Sequence, residues 1–207
     1  MRSRWLALLP ALALMGTTGC GYNTIQTMDE QANEAKSRIE VQLQRRADLV
    51  PNLVATVKGY AQHEETIFTN VANARTALLG AIRTGDPQQM ATANDQLGGA
   101  LGRLLAISEA YPNLKADQQF LRLQDELAGT ENRIAVARND YNEAARQYNA
   151  YIRQFPTVVT AKVIGAKSKP YFEVTDAAKR EVPQVDFGRP STGQTPTPPA
   201  PPPAKVP

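Results

Sequence analysis

The chain has 207 residues, 42% of them hydrophobic and 21% charged, with one cysteine and one histidine. That length suits one domain of ordinary size, and the apolar content builds a core only if it is arranged in stripes. The formal net charge of +3 includes Arg2 and Arg4 at the extreme N-terminus. The remainder is nearly neutral and alternates in sign along its helical stretches, which argues against nucleic acid as a partner because counterion release needs a sustained basic face.

The N-terminus has the parts of an export signal: basic Arg2 and Arg4, an apolar run from Trp5 to Met15, and the small residues Thr17, Thr18 and Gly19 before Cys20. A membrane-spanning helix needs roughly 20 apolar residues, and this shorter run also contains Pro10. Thr17 to Cys20 resembles a lipobox, with threonine where leucine is usual. The expectation is a lipoprotein signal peptide over 1–19 and lipidation at Cys20, with 20–23 as a short tether. An ordinary secreted or uncleaved signal is the competing reading. Acyl chains contribute about 0.8 kcal/mol per buried methylene, so a multiply acylated terminus holds firmly to a membrane. Gly21, rather than aspartate, follows the cysteine. By resemblance to lipoproteins of two-membrane bacteria, that residue permits transfer to the outer membrane.

From Ile25 to Ile82 apolar residues recur at threes and fours, through Ala32, Ala35, Ile39, Leu43, Val50, Val57, Val71 and Leu78. This is the period of an amphipathic helix. Pro51 lacks an amide hydrogen and presses its ring toward the carbonyl of Ala47, so the helix is expected to kink or break near Val50, leaving two segments in line. Thr84-Gly85-Asp86-Pro87 reads as a reversal, with Gly85 closing one helix, Asp86 capping the next and Pro87 in its first turn. The following helix runs through Met90, Leu97, Leu101 and Leu104 to Tyr111-Pro112. Gly98, Gly99 and Gly102 each weaken it by about 1 kcal/mol relative to alanine, a loss offset if a neighbour approaches closely. They do not match a phosphate-binding loop in spacing or context.

Asn113 is the expected cap of a third helix. There Phe120, Leu127, Ile134, Tyr141, Tyr148 and Phe155 fall seven apart, with Leu123, Thr130, Ala137, Ala144 and Tyr151 as a companion row. A seven-residue repeat makes these rows the seam of a left-handed supercoil. Pro156 is expected to stop the helix. Val158 to Ile164 reads as a short helix ended by Gly165, and Lys169 to Val174 as an extended run able to cover one end of the bundle. Residues 188–207 are rich in Pro, Thr and Ala and read as a disordered spacer, with a proline-rich ligand as the alternative. The expected fold is all-α: an elongated antiparallel up-and-down bundle over 24–187, with three long helices and a short C-terminal one.

Reactive chemistry finds little footing. His63-Glu64 begins like a zinc-protease motif, yet Ile67 stands where the second histidine belongs. The serines lack nucleophile-elbow surroundings, and adjacent carboxylates such as Asp125-Glu126 point in different directions on a helix. No catalytic, cofactor-binding or metal-ligating residues are therefore expected. Arg45, Arg46, Asp48 and Asn52 gather beside the Pro51 discontinuity, with Tyr60 following. They serve either to satisfy freed backbone groups or to recognise a carboxylate or phosphate, for which arginine presents a planar donor fork.

The stretch Gln42 to Val54, containing Arg45-Arg46-Ala47-Asp48-Leu49-Val50-Pro51-Asn52, resembles the signature of the LemA family. The likeness continues through Val57-Lys58-Gly59-Tyr60-Ala61, Val71-Ala72-Asn73-Ala74-Arg75, Glu109 to Ala116, Thr130 to Ala135, Tyr141-Asn142, Tyr148-Asn149 and Tyr171-Phe172-Glu173. It covers about Tyr22 to Phe187. The resemblance implies an antiparallel helical bundle displayed outside the cytoplasmic membrane and brings no catalytic residues; one branch of the family is associated with magnetosome membranes. The family's usual anchor is an apolar segment, from which the lipobox departs. The expected function is a non-catalytic interaction or scaffold protein of the cell envelope, lipid-anchored, facing the periplasm or exterior, with other envelope proteins as partners. The alternative is a binding module for a lipid head group or cell-wall fragment through Arg45 and Arg46.

Overall fold

The computed structural model describes the backbone of residues 3–173 and the side chains of residues 21–173. Cys20 and the 188–207 tail, on which the lipid anchor and the spacer were read, lie outside the described side chains. Among the described residues six α-helices appear in chain order: α1 Ser3–Lys58, α2 Glu65–Thr84, α3 Pro87–Ala106, α4 Pro112–Lys115, α5 Gln118–Tyr151 and α6 Thr157–Val163, with a 3-10 turn at Ile107–Glu109. The fold is all-α, and no strand occurs among the described residues.

The first correction concerns Pro51. Helix α1 runs through it without interruption, and the break falls later, between Lys58 and Glu65. The two segments are not in line. Lys58 lies 5.2 Å from the Phe68 ring centre, Arg75 Nε donates to the Ala47 carbonyl at 2.7 Å, and Lys36 Nζ donates to the Gly85 carbonyl at 3.3 Å. As α2 advances its partners on α1 retreat, so the pair is an antiparallel hairpin. Apolar spacing is a local property common to both arrangements; burying the two stripes against each other selects the hairpin.

The α2–α3 reversal forms as the residues dictate. Gly85 adopts a left-handed conformation (φ 65°), Asp86 accepts from the Gln88 amide at 2.8 Å, and Pro87 opens α3. Helix α5 then returns along α1. The Tyr60 hydroxyl donates to Asp117 at the upper end, Arg46 pairs with Glu131 midway, and Ile25 packs with Tyr148 near the base. Four helices therefore alternate up and down. At about 1.5 Å per residue, the 20-residue α2 and α3 cover about 30 Å, while the 34-residue α5 covers about 51 Å. The lower part of α1 and α5 is left for the C-terminal segment to cover.

Two further boundaries differ from expectation. Asn113 lies inside α4, whose Leu114 is fully buried, and the cap of α5 is Asp117, accepting from the Phe120 amide at 2.8 Å. Phe120, Leu127, Ile134, Tyr141 and Tyr148 form the buried seam, but Phe155 is 85% exposed because α5 ends at Tyr151. The residue before a proline is pushed out of the helical region, and the chain turns early so that Thr157 and Ala161 of α6 bury against α1.

The glycines of α3 divide. A Cβ at Gly98 would sit 3.5 Å from Arg46 Nη2, so this glycine borders the buried guanidinium. Gly99 and Gly102 face open space, and the close approach expected of them is absent.

Candidate functional site

The residues grouped around Pro51 separate once the helix is built. Arg45, Asp48 and Asn52 share one exposed face of α1, as spacings of three and four require. Gln44 Nε2 donates to Asp48 at 2.9 Å on that face. Arg46 points the other way. It is 7% exposed, donates to Asn94 Oδ1 of α3 and pairs with Glu131 of α5. Burial pulls its guanidinium below the ordinary value, opposed by the charges of Glu131 and Asp95. Tyr60 lies beyond the end of α1, where its hydrogen bond to Asp117 raises its hydroxyl; the Phe120 amide first, and Tyr60 second, hold Asp117 below its ordinary value.

The backbone group freed by Pro51 is satisfied by none of these. Proline leaves the Ala47 carbonyl without its i+4 donor, and Arg75 of α2 supplies the replacement. Ala47 is fully buried, so water has no access to that oxygen. No feature near Pro51 in the sequence points 24 residues ahead to Arg75. The pairing exists only because α2 folds back.

Sequence reading also passed over Val41 and Val136. They lie off the core stripes and remain 62% and 60% exposed. Between them runs an open groove of about 570 Å³ along α1 and α5, bordered by Glu34, Arg38, Gln42, Arg133 and Asp140, with Ala137 in its floor. Arg38 pairs with Glu34 at 3.3 Å. Helical spacing continues this face from Val41 to Arg45, Asp48 and Asn52. It is a mixed apolar and charged strip on the side of α1 opposite its core stripe.

The repeated Tyr-Asn pairs acquire a clear purpose. Asn142 accepts from the Phe172 amide at 2.8 Å and donates to its carbonyl at 3.4 Å; Asn149 accepts from the Lys169 amide at 2.8 Å and donates to its carbonyl at 2.9 Å. Two amide side chains, seven residues apart, thus hold an extended strip of backbone as a neighbouring strand would. The Tyr141 hydroxyl donates to the Pro170 carbonyl at 2.7 Å, and Lys169 pairs with Asp29 at 3.0 Å. Phe172 is thereby fully buried, with Arg138 over its ring at 5.3 Å.

Among the described residues, no group of three or more His, Cys, Asp or Glu comes together to hold a metal ion, and His63 sits exposed in the α1–α2 turn. No described helix is long and apolar enough to cross a membrane. These features define the class: an all-α up-and-down bundle with an open groove along α1 and α5. A LemA family model matches residues 35–187, and the chain belongs to the LemA family.

Among its relatives, magnetosome protein MamQ 1 of Paramagnetospirillum magneticum is 32% identical over 193 residues, covering 81% of this chain and 70% of that protein. Magnetosome protein MamQ of Magnetospirillum gryphiswaldense is 28% identical over 205 residues, covering 87% and 75%. Protein LemA of Metamycoplasma hominis is 22% identical over 161 residues, covering 77% and 72%.

Proposed function

We propose that this LemA-family chain is a membrane-associated, non-catalytic protein of the cell envelope that works by docking an envelope protein along the outer α1–α5 face. The observation that carries this reading is the open groove bordered by the exposed Val41 and Val136. Apolar side chains left in water along a groove favour a partner surface. Attachment is through Cys20, acylated after removal of 1–19, on the periplasmic or outer side; Gly21 favours the outer membrane. The relatives named as magnetosome proteins are consistent with work at a membrane.

A photo-crosslinking residue placed at Val41 or Val136 in intact cells tests the docking role. One reproducible envelope protein, lost on Val136→Asp with the bundle still folded, is the expected result; no adduct at either position would remove the proposal. Mass spectrometry of the N-terminal peptide tests the anchor, and an unmodified Cys20 would refute it. The alternative, recognition of a lipid head group or cell-wall fragment, now rests on Arg45, which is exposed and forms no ion pair within the described residues. If Arg45→Ala leaves binding of such fragments unchanged, that reading fails.

A further inference from the structure

Between Ala144 and Phe172 the sequence has five basic residues and no acidic one. Arg146 is engaged by Glu143 and Lys169 by Asp29. Arg153, Lys162 and Lys167 are exposed and form no ion pair within the described residues. Residues 21–28 of α1 add no acidic side chain; Asp29, paired with Lys169, and the exposed Glu30 follow them. Among the described residues this end therefore carries an excess of basic side chains, although the chain as a whole is nearly neutral.

The same end collects exposed apolar side chains. Thr157 and Ala161 turn one face of α6 into the bundle, which leaves Val159 and Val163 on the other face at 51% and 82% exposure, and Phe155 just ahead of the helix at 85%. Tyr22, at the start of the described part of α1, is 46% exposed. A Cβ at Gly21 would lie 3.6 Å from Thr157 Cγ2 and 3.9 Å from Thr160 Oγ1, so α6 starts beside the residue that follows Cys20.

We propose that this end of the bundle is a bilayer-contact surface, in which Phe155, Val159 and Val163 enter the interface while Arg153, Lys162 and Lys167 meet anionic head groups. The proposal rests on the anchored reading of Cys20. Lipid attached there holds the start of α6 at the membrane, where apolar side chains penetrate about 5–10 Å and basic ones reach the phosphates. The anchor then becomes a two-part device: acyl chains tether the chain, and the α6 end fixes the bundle's tilt so that the α1–α5 groove faces sideways along the membrane.

The full processed chain, reconstituted into vesicles whose acyl chains carry bromine, tests this by tryptophan quenching. Trp5 is the sole tryptophan of the sequence and is removed with the signal, so Phe155→Trp, Val163→Trp and the control Val41→Trp each report one position. All three sites are exposed, so the substitutions are expected to leave the fold intact. Flotation with the vesicles is scored in the same samples. The expected result is flotation of every variant, with Phe155→Trp and Val163→Trp quenched about twofold more than Val41→Trp. That difference should be larger with phosphatidylglycerol than with phosphatidylcholine alone, and reduced by salt. Flotation with equal quenching at all three positions overturns the contact surface and leaves the anchor standing. Failure to float overturns the anchor and the surface with it. Quenching that is indifferent to phosphatidylglycerol overturns the role of the basic residues.

Discussion

Pro51 deprives the Ala47 carbonyl of its donor within α1, and Arg75, which supplies the replacement, is where the compensation can be measured. Arg75→Met keeps much of the side chain's apolar packing but leaves the buried Ala47 carbonyl without a donor. An unsatisfied buried carbonyl costs about 1–3 kcal/mol, and a hydrogen bond from a charged group contributes about 1.5–3 kcal/mol; these describe the same loss from two sides, so about 2–3 kcal/mol is expected. For a domain of this size that corresponds to roughly 4–12 °C in Tm. Pro51→Ala gives residue 51 an amide hydrogen, which restores an in-helix donor to Ala47. In that background Arg75→Met should fall to the ordinary surface value of about 0.5 kcal/mol. The cycle therefore predicts a coupling of about 1.5–2.5 kcal/mol between residues 24 positions apart, well above the deviation expected for independent sites. Urea denaturation of the four proteins followed by far-ultraviolet circular dichroism supplies the numbers. If Arg75→Met costs the same with and without Pro51, the compensation described for α1 is wrong.

Three other outcomes follow from the packing. Arg46→Met should lose about 1–3 kcal/mol because Asn94, 2% exposed, is left without its partner, while Arg46→Met with Asn94→Leu should recover most of that loss in the same urea titrations. Gly99→Ala and Gly102→Ala each place a methyl group in open space on an exposed helix face, so each should stabilise by up to about 1 kcal/mol in thermal unfolding. Burial first, and the charge of Asp86 second, push the Tyr141 hydroxyl up to about 12 from 10.0. A raised tyrosine pKa contributes stability that is full below the unfolded value and lost as pH rises through the folded one. Stability should therefore fall between about pH 10 and 12 by up to roughly 2–3 kcal/mol from this group, at about 1.4 kcal/mol per unit. Tyr141→Phe should flatten that limb, and an unchanged alkaline profile would contradict the assignment.

The sequence by itself determined the helical class, the seam of α5 from Phe120 to Tyr148, and the Gly85-Asp86-Pro87 reversal. Each of these rests on interactions within a few residues: side-chain period, a positive φ, a cap and a proline that needs no donor. It also marked Pro51 as a special position and placed Tyr141-Asn142 and Tyr148-Asn149 among the stretches that carry the family resemblance. Only the tertiary structure decided what they do. Helix α2 returns to bring Arg75 against Ala47, whose carbonyl Pro51 leaves without a donor, and Asn142 and Asn149 hold the strip around Lys169 and Phe172 that closes the lower bundle. Arg46 joined Arg45 in sequence, yet a step of about 100° around the helix sends one into the core and leaves the other in solvent. A backbone carbonyl or a buried guanidinium is satisfied by whichever group reaches it, and packing, which acts between residues far apart in the chain, chooses that group.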